Sequence, residues 1–368
     1  MEYRLLSTAC EYRKDRISAD EVNENNYIST ENMLPNRGGV ETASSIAEGK
    51  TFPAYKEGDI LLSNIRPYFK KIWFADKKGG CSNDVLVLKT NKSVDKRFLY
   101  YVLSDNNFFN YSTVTSKGTK MPRGSKTAIM KYLVPDVDMP TQKRIADVLS
   151  AYDDLIENNN RRIALLEKAA QELYKEWFVR FRFPGYETAK FENGLPEGWT
   201  VMRVKDLVKR YPFGTLYKGD SILSEGKTIV IDQSSNEYAG FHNNEPSHIA
   251  DINHPMILFG DHTCKYQLMT IPFSLSENVV PFTGNQDVDT TYLYYLVNGI
   301  VETTEYKRHW TEFISKKVLV ADEQIQKQFK TQVKSNLLLI ESLKQQNRNL
   351  TKQRDLLLPR LMSGKLEV

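Results

Sequence analysis

Two long stretches of the chain carry apolar residues at alternating spacings of three and four, the heptad pattern of a helix with one buried seam. Charged and polar residues occupy most of the other helical positions. We predict that each stretch forms one long helix and that the two helices pair through these seams. The seam of the first helix comprises Leu149, Tyr152, Ile156, Asn159, Ile163, Leu166, Ala170, Leu173 and Trp177. The seam of the second comprises Val333, Asn336, Ile340, Leu343, Asn347, Leu350, Leu357 and Leu361. Arg354 occupies the seam position between Leu350 and Leu357.

Three of these seam positions are asparagines, namely Asn159, Asn336 and Asn347. An asparagine in a seam weakens the packing but can fix the register of the two helices. The alternative is that each stretch is one amphipathic helix that packs on its own domain. The persistence of the pattern through both stretches favours pairing, and the sequence therefore predicts a coiled coil.

Short apolar runs upstream of each long helix also occur twice. The run VDKRFLYYVLSDNN from Val94 resembles VDTTYLYYLVNGIV from Val288, which lies 194 residues later. The run CSNDVLVLK from Cys81 aligns with LSENVVPFT from Leu275 at the same offset. Such runs predict short strands separated by polar loops. The sequence therefore predicts an α+β fold with an internal pseudo-two-fold repeat, in which two similar domains of mixed sheets and helices are each followed by a long helix.

Proline and glycine mark the boundaries between these parts. Pro140 and Thr141 have the character of a helix start, and the segment FPGYETAKFENGLPEGW from Phe183 has that of a linker. The predicted organisation is a first domain at 1–140, a first helix at 141–182, a linker at 183–197, a second domain at 198–321, a second helix at 322–362 and a C-terminal tail at 363–368.

The length of the linker bears on the direction in which the helices pair. A helix of roughly 40 residues is about 60 Å long. A linker of about 17 residues reaches at most roughly 58 Å when fully stretched, so that it could barely return the chain to the start of the first helix. Antiparallel pairing is therefore predicted, and it would place the two domains at opposite ends of the helix pair. Duplex DNA is a partner with the approximate two-fold symmetry that this arrangement fits.

Composition excludes some classes of protein. An apolar content of 40% is sufficient for real cores, and no apolar run approaches the roughly 18 residues of a membrane span. The three cysteines, Cys10, Cys81 and Cys264, show no pairing pattern, and the N-terminal region lacks the apolar stretch of a secretory signal. We therefore expect a cytoplasmic protein. The formal net charge of +4 permits a nucleic-acid partner without requiring one.

Motifs for catalysis are not apparent in the sequence. The lysines in GKT at Gly49 and at Gly226 lack the upstream glycine of a phosphate-binding loop. The five histidines all lie in the second half without ligand spacing, and no cysteine and histidine cluster indicates zinc. We expect no catalytic residue, no metal site and no cofactor bound by this chain. An enzyme with an unrecognised site remains an alternative.

The first domain contains two candidate DNA-contacting loops. One is TSKGTKMPRGSK, which lies in a stretch without acidic residues, and the other is SNIRPYFKK. Basic side chains and backbone N–H groups of such loops bind phosphates, while arginine and asparagine can read guanine and adenine. A solvated charge run and an ordinary hairpin are the respective alternatives. The candidate residues are Asn64, Arg66, Tyr68, Lys70, Lys117, Thr119, Lys120, Arg123 and Lys126.

The second domain has different side chains at the equivalent places. Its loops are FGDHTCKYQ, EYKRHWTEF and PFGTLYKGD. Such differences are expected if the second domain recognises a different DNA sequence from the first. Trp310 in the second of these loops is as well explained by a place in the core. The candidate DNA-contacting residues are Tyr217, Lys218, His262, Thr263, Lys265, Tyr266, Lys307, Arg308 and His309.

Three motifs carry a resemblance to a known family. The run MPTQKRIADVLSAYDDLIENNNRRIALLEKAAQELYKEWFVRFRFPGYE from Met139, the linker motif LPEGW from Leu195 and the ending LLLPRLMSGKLEV from Leu356 resemble the DNA-specificity subunit of type I restriction-modification systems. The resemblance covers nearly the whole chain. One departure is that the first domain begins at Met1 without a counterpart of LPEGW.

The resemblance implies a non-catalytic subunit with two target-recognition domains, each of which reads one half of an asymmetric, interrupted double-stranded DNA sequence. It implies that the two helices form an antiparallel coiled coil that sets the spacer between the half-sites. Two methyltransferase subunits would dock on the helices and bring S-adenosylmethionine and N6-adenine chemistry. Restriction subunits, which translocate and cleave DNA with ATP and Mg, would then join the complex.

Two other hypotheses compete with this interpretation. The chain could be a self-sufficient bipartite DNA-binding protein, or a scaffold with two protein-binding heads. Binding of a methyltransferase to the helix surface outside the seam would favour the specificity subunit over the self-sufficient DNA-binding protein. For the scaffold, DNA should have no effect at any salt concentration.

Overall fold

The computed structural model describes residues 2–303, 305 and 307–366. The chain divides into two compact units. Unit 1 comprises Met1–Asn158 with Asn347–Val368, and unit 2 comprises Asn159–Gln346. Each unit therefore contains one segment of both long helices. The last two residues of the predicted C-terminal tail lie outside the described residues.

Unit 1 is built from short strands, short helices and the first long helix. Its strands are β1 (Glu2–Leu5), β2 (Cys10–Tyr12), β3 (Arg16–Ser18), β4 (Tyr27–Ile28), β5 (Thr51–Tyr55), β6 (Ile60–Ser63), β7 (Ile72–Phe74), β8 (Gly79–Cys81), β9 (Val85–Thr90) and β10 (Leu133–Asp136). The helices that begin in it are α1 (Leu6–Ala9), α2 (Lys96–Ser104), α3 (Asn106–Val114), α4 (Lys126–Ile129) and the long α5 (Met139–Tyr174).

Unit 2 has the same kinds of element. Its strands are β11 (Phe191–Glu192), β12 (Leu195–Pro196), β13 (Thr200–Arg203), β14 (Val208–Arg210), β15 (Thr228–Ile231), β16 (Gly240–His242), β17 (Met256–Gly260), β18 (Tyr266–Met269), β19 (Phe273–Leu275), β20 (Val279–Gly284) and β21 (Lys317–Val320). Its helices are α6 (Thr290–Val297), α7 (Trp310–Ser315) and the long α8 (Glu323–Met362). A short hairpin of β11 and β12 lies within the segment predicted as the linker.

The sheets confirm the predicted internal repeat. In unit 1 a four-stranded antiparallel sheet has the order β2-β9-β6-β7, and in unit 2 the order β14-β20-β17-β18 has the same connectivity. The ladder β1·β10 is matched by β13·β21, in which the second strand directly precedes the long helix. The α+β fold class predicted from the sequence is therefore confirmed.

The smaller sheets of the two units differ in strand number, with four strands in unit 1 and three in unit 2, and in how one strand is paired. Both contain a parallel ladder, β4·β8 in unit 1 and β15·β19 in unit 2. An antiparallel strand then joins β8 in unit 1 but β15 in unit 2. The repeat is thus exact in the larger sheet and divergent in the smaller one.

Both long helices contribute to the core of each unit. In unit 1, Leu149 of α5 belongs to the same buried cluster as Leu358 and Leu361 of α8. In unit 2, Ala170 and the π-helical residue Trp177, just after α5, belong to the same cluster as residues of α8, among them Phe329 and Val333. Long helices therefore complete the cores of the two domains as well as pairing with each other.

The contacts within each unit give the direction of the helix pair. In unit 1, Asp153 near the start of α5 accepts a hydrogen bond of 2.5 Å from Arg354 near the end of α8. In unit 2, the ring centroid of Trp177 lies 5.9 Å from that of Phe329 near the start of α8. This order of contacts is antiparallel, as the sequence predicts.

Predicted seam residues are buried or half-buried in the structure, without exception. Leucines on other faces of the helices behave differently: Leu155 is 54% exposed and Leu165 is 67% exposed. At the charged seam position, Arg354 pairs with Asp153 and with its neighbour Asp355. These carboxylates raise the pKa of Arg354, although burial opposes them.

In each unit, one buried glutamine of the long helix makes two hydrogen bonds to the backbone of the preceding domain; we call this arrangement the glutamine clamp. Gln142 is 1% exposed; its Oε1 accepts the Asp95 N–H at 2.8 Å, and its Nε2 donates to Val137 O at 2.7 Å. Asp95 in turn caps α2 by accepting a hydrogen bond from the Phe98 N–H. Because the amide has both a donor and an acceptor, one side chain fixes two backbone segments.

Unit 2 repeats this clamp atom by atom. Gln326 is also 1% exposed, and it accepts the Asp289 N–H at 2.9 Å and donates to Ala321 O at 2.8 Å. Asp289 caps α6. The clamp therefore orients each long helix against the domain that precedes it, independently of the seam.

We expect the variants Gln142→Ala and Gln326→Ala each to lower the free energy of unfolding by about 1–3 kcal/mol, because each leaves a backbone donor and acceptor without its partner. Denaturant unfolding followed by circular dichroism measures the effect. The matched control is Gln171→Ala, at an exposed position of α5, which should change stability by less than about 0.5 kcal/mol. Equal stability of the clamp variants and the control would contradict the role of the clamp.

Among residues 2–303, 305 and 307–366, no helix combines the length and the apolar character that crossing a bilayer requires.

Candidate nucleic-acid interface

The two candidate loops of unit 1 form one surface. Backbone hydrogen bonds join them: Gly124 N–H donates to Asn64 O at 3.0 Å, and Arg66 N–H donates to Pro122 O at 2.8 Å. A further β-bridge pairs Ile65 with Arg123. We call residues 64–70 and 117–126 together the joined loops of unit 1. The sequence predicts each loop separately, and their association is a finding of the structure.

The basic side chains of the second loop, residues 117–126, face solvent. Lys117, Lys120, Arg123 and Lys126 are exposed, as is Thr119. Arg123 lies 3.2 Å from the Asp84 carboxylate, at an exposed position where such a pair contributes little to stability. These cations are therefore accessible to DNA phosphates, and binding would replace only water and weak ion pairs.

The first loop is held in a specific backbone conformation. Arg66 and Lys70 have φ of 50° and 52°, on either side of the short helical turn Pro67–Phe69. The Lys70 ammonium donates to Asn106 Oδ1 at 2.8 Å. Burial lowers the pKa of Lys70, and the neighbouring charge of Arg37 lowers it further. Arg66 and Asn64 are half-buried, whereas Tyr68 is exposed.

The equivalent loops of unit 2 are joined by the same kind of backbone hydrogen bond. His309 N–H donates to Asp261 O at 2.8 Å, at the position equivalent to the bond from Gly124 to Asn64. The Asp261 carboxylate adds contacts to the N–H groups of His309 and Trp310, at 3.1 and 2.9 Å. Asp261 is 7% exposed, so that in this unit a buried carboxylate fastens the two loops together.

Four of the cationic candidates of unit 2 are exposed or half-buried and have partners. Lys218 pairs with Glu277, Lys307 lies 3.5 Å from Glu305, and Arg308 lies 3.7 Å from Asp261. The fourth, Lys265, donates to the carbonyl of Asn236, and burial lowers its pKa. Lys218, Lys307 and Arg308 are exposed, and their ion pairs contribute little to stability, as does that of Arg123 in unit 1.

Other candidates of unit 2 lie in supporting positions. His309 is fully buried, with ring contacts to Glu312 and to Glu305 O. Tyr217 is 6% exposed and stacks on His242 with ring centroids 3.8 Å apart. These two side chains therefore have almost no surface to offer DNA in this structure, and they support the loops from beneath.

The remaining candidates lie between these extremes. Tyr266 is half-buried, and its ring packs against Phe259 at 5.1 Å. The hydroxyl of Thr263 donates to Gln233 O at 2.8 Å, and the backbone N–H of half-buried His262 donates to Gln233 Oε1. Gln233 thus orients the hairpin tip, a role that its position in the sequence does not reveal.

Within the part of the chain that the structure describes, no group of three or more His, Cys, Asp or Glu residues could hold a metal ion. The three cysteines are buried and unpaired as thiols. Burial raises the pKa of Cys10 and of Cys81 to about 12, which keeps these thiols protonated and unreactive at neutral pH.

Comparison with known proteins agrees with the motifs. Residues 8–168 match the family described as Type I restriction modification DNA specificity domain. The MjaVIII specificity subunit of Methanocaldococcus jannaschii is 31% identical over 225 residues, which cover 60% of this chain and 51% of the relative. The MjaIX specificity subunit of the same organism is 33% identical over 120 residues, which cover 32% of this chain and 28% of the relative. The chain thus spans about half or less of the length of these two relatives.

A solved structure has the same fold. The S subunit of a type I restriction-modification system from M. genitalium has a TM-score of 0.54 at 15% identity, and the match covers 98% of this chain and 96% of that chain. Residues 8–168 thus match the DNA specificity domain of type I restriction-modification systems, and the chain is similar to the specificity subunits of such systems.

We expect the variant Lys117→Ala/Lys120→Ala to weaken DNA binding about equally for all sequences and to reduce the slope of log K against log salt concentration by about 2, because two phosphate contacts are lost. Fluorescence anisotropy with duplex DNA at several salt concentrations measures both quantities.

The matched control is Lys92→Ala. Val85 of β9 pairs with Ser63 beside the joined loops, whereas exposed Lys92 follows the opposite end of the same strand, about 20 Å away. An unchanged slope in the double variant, or an equal reduction in the control, would contradict the placement of the DNA at the joined loops.

Proposed function

We propose that this chain is the DNA-sequence-specificity subunit of a type I restriction-modification enzyme and that it binds an asymmetric bipartite target in double-stranded DNA. Unit 1 and unit 2 each read one half-site. The observation that carries this proposal is the repeated pair of joined loops. The backbone hydrogen bond from Gly124 to Asn64 recurs between His309 and Asp261, while the side chains around it differ. A common framework with different side chains is what two readers of different sequences require.

The helices have a separate role in the proposal. Paired antiparallel, α5 and α8 set the spacer between the half-sites and recruit two methyltransferase subunits, and restriction subunits join the assembly. S-adenosylmethionine belongs to the methyltransferase, and ATP and Mg belong to the restriction subunits. The modest net charge of +4 supports dependence on these partners, since few phosphate contacts give weak and salt-sensitive binding by the chain alone.

Replacement of residues 198–321 by the corresponding segment of a relative with another specificity tests the assignment of half-sites. We expect one half of the methylated motif to change while the other half and the spacer stay the same. Long-read sequencing of adenine methylation measures the motif. A change in both halves would show that the two units do not read separately, and loss of all sequence preference in a folded chimera would do the same.

Insertion of one heptad into each of α5 and α8 at facing positions tests the role of the helices. Seven residues add about 10.5 Å, which corresponds to at most about three base pairs of spacer. We expect a longer spacer and unchanged half-sites. Insertion into α5 alone is the control, and it should abolish methylation because it shifts the seam of one helix against the other. Altered half-site sequences in the double insertion would contradict the proposal.

A further inference from the structure

Two large aromatic side chains lie side by side at the surface of unit 1. Tyr68 is 46% exposed and Phe69 is 38% exposed, with their ring centroids 4.8 Å apart. Single exposed apolar residues are common on protein surfaces, but adjacent exposed aromatics more often belong to a contact surface. Their position within the joined loops places them among the basic residues described above.

The backbone beneath these two rings is tightly held. Arg66 and Lys70 flank them in the left-handed region, and Asn36 and Arg37 in the neighbouring segment also have positive φ, at 54° and 64°. Asn36 N–H donates to Phe69 O at 2.8 Å, and Arg37 N–H donates to Lys70 O at 2.9 Å. Left-handed conformations of residues other than glycine cost free energy and persist where the surroundings impose them, often at functional sites.

Cations surround the second ring. The guanidinium carbon of Arg66 and the ammonium of Lys71 each lie 6.0 Å from the ring centroid of Phe69. The equivalent loop of unit 2, Asp261–Tyr266, has no such exposed aromatic pair, since its Tyr266 packs against Phe259 and Phe313. The exposed pair is therefore specific to the first unit and is not part of the shared framework.

We propose that Tyr68 and Phe69 form a stacking wedge that enters the half-site read by unit 1, opens one base step and stacks on the exposed base faces. This inference rests on the proposed function. Stacking on aromatic side chains and neighbouring phosphate contacts offset the cost of unstacking a step. Because the backbone is already fixed, little conformational freedom is lost on binding. Pyrimidine–purine steps unstack most easily, so the half-site of unit 1 should contain one at the wedge.

The test uses the full-length chain in complex with its methyltransferase and duplexes that carry the methylated motif. 2-Aminopurine replaces adenine at successive positions of the half-site that unit 1 reads. The methyltransferase unstacks the adenine that it methylates, so that position is set aside. We expect the wild-type complex to raise the fluorescence at one further step. The variant Tyr68→Ala/Phe69→Ala should lose this rise and bind the motif about 10- to 100-fold more weakly. The salt slope should stay unchanged, because no charge is removed.

Two controls separate stacking from other effects. Tyr68→Phe should retain the fluorescence rise, because stacking does not need the hydroxyl. Tyr186→Ala removes an aromatic of similar exposure, 39%, outside the joined loops, and should bind as the wild type does. Thermal unfolding of each variant checks that the fold is intact.

The outcomes that overturn the wedge are specific. Motif binding by the wild type without a fluorescence change at any position other than the methylated adenine overturns the wedge and leaves the proposed function standing. Full affinity of the double variant does the same. Loss of the methyltransferase from the double variant would assign the aromatic pair to a protein contact instead. Absence of sequence-specific binding by the wild-type complex would overturn the proposed function, and the wedge with it.

Discussion

Burial of the seams of α5 and α8 is the interaction on which the rest of the chain depends. Both helices are largely polar outside their seams, and most of the stability of a helix in a protein comes from packing of its apolar face. Each helix gains stability twice, from its partner helix and from a domain core: Leu149 and Leu358 lie in one core, and Ala170 and Val333 lie in the other. The glutamine clamps at Gln142 and Gln326 then fix how each domain meets its helix. A change in the helix pair therefore affects the cores of both units.

The two units combine a common framework with different surfaces. In both, a backbone carbonyl at the tip of the larger sheet accepts a hydrogen bond from the loop before the last short helix. Unit 1 presents exposed lysines and an aromatic pair at this tip. Unit 2 instead joins the loops through the buried carboxylate of Asp261, and three of its four candidate cations pair with neighbouring acids. Because backbone hydrogen bonds position the loops, their side chains can differ between the two units without loss of the fold.

Much of this architecture is predictable from the sequence, because it is encoded in periodic patterns. The heptad seams, the repeat at Val94 and Val288 and the antiparallel direction follow from spacing and from the reach of the linker. The joining of Asn64 to Gly124 is not predictable in this way, since it depends on a long-range backbone hydrogen bond with no local signature. The burial of His309 and Tyr217 is also not visible in the sequence. Both residues stand next to charged residues, in segments that resemble exposed loops. Asp261 offers a partial signal, since it follows a buried strand at the position equivalent to Asn64.

The measurement that tests the central claim most directly is a map of adenine methylation by long-read sequencing, in cells with and without the gene for this chain. The account predicts a two-part motif with a fixed gap that is methylated in the presence of the chain and unmethylated after deletion. A methylation pattern that is the same in both strains, with the methyltransferase subunits expressed, would contradict it and would favour a DNA-binding protein that acts without modification partners.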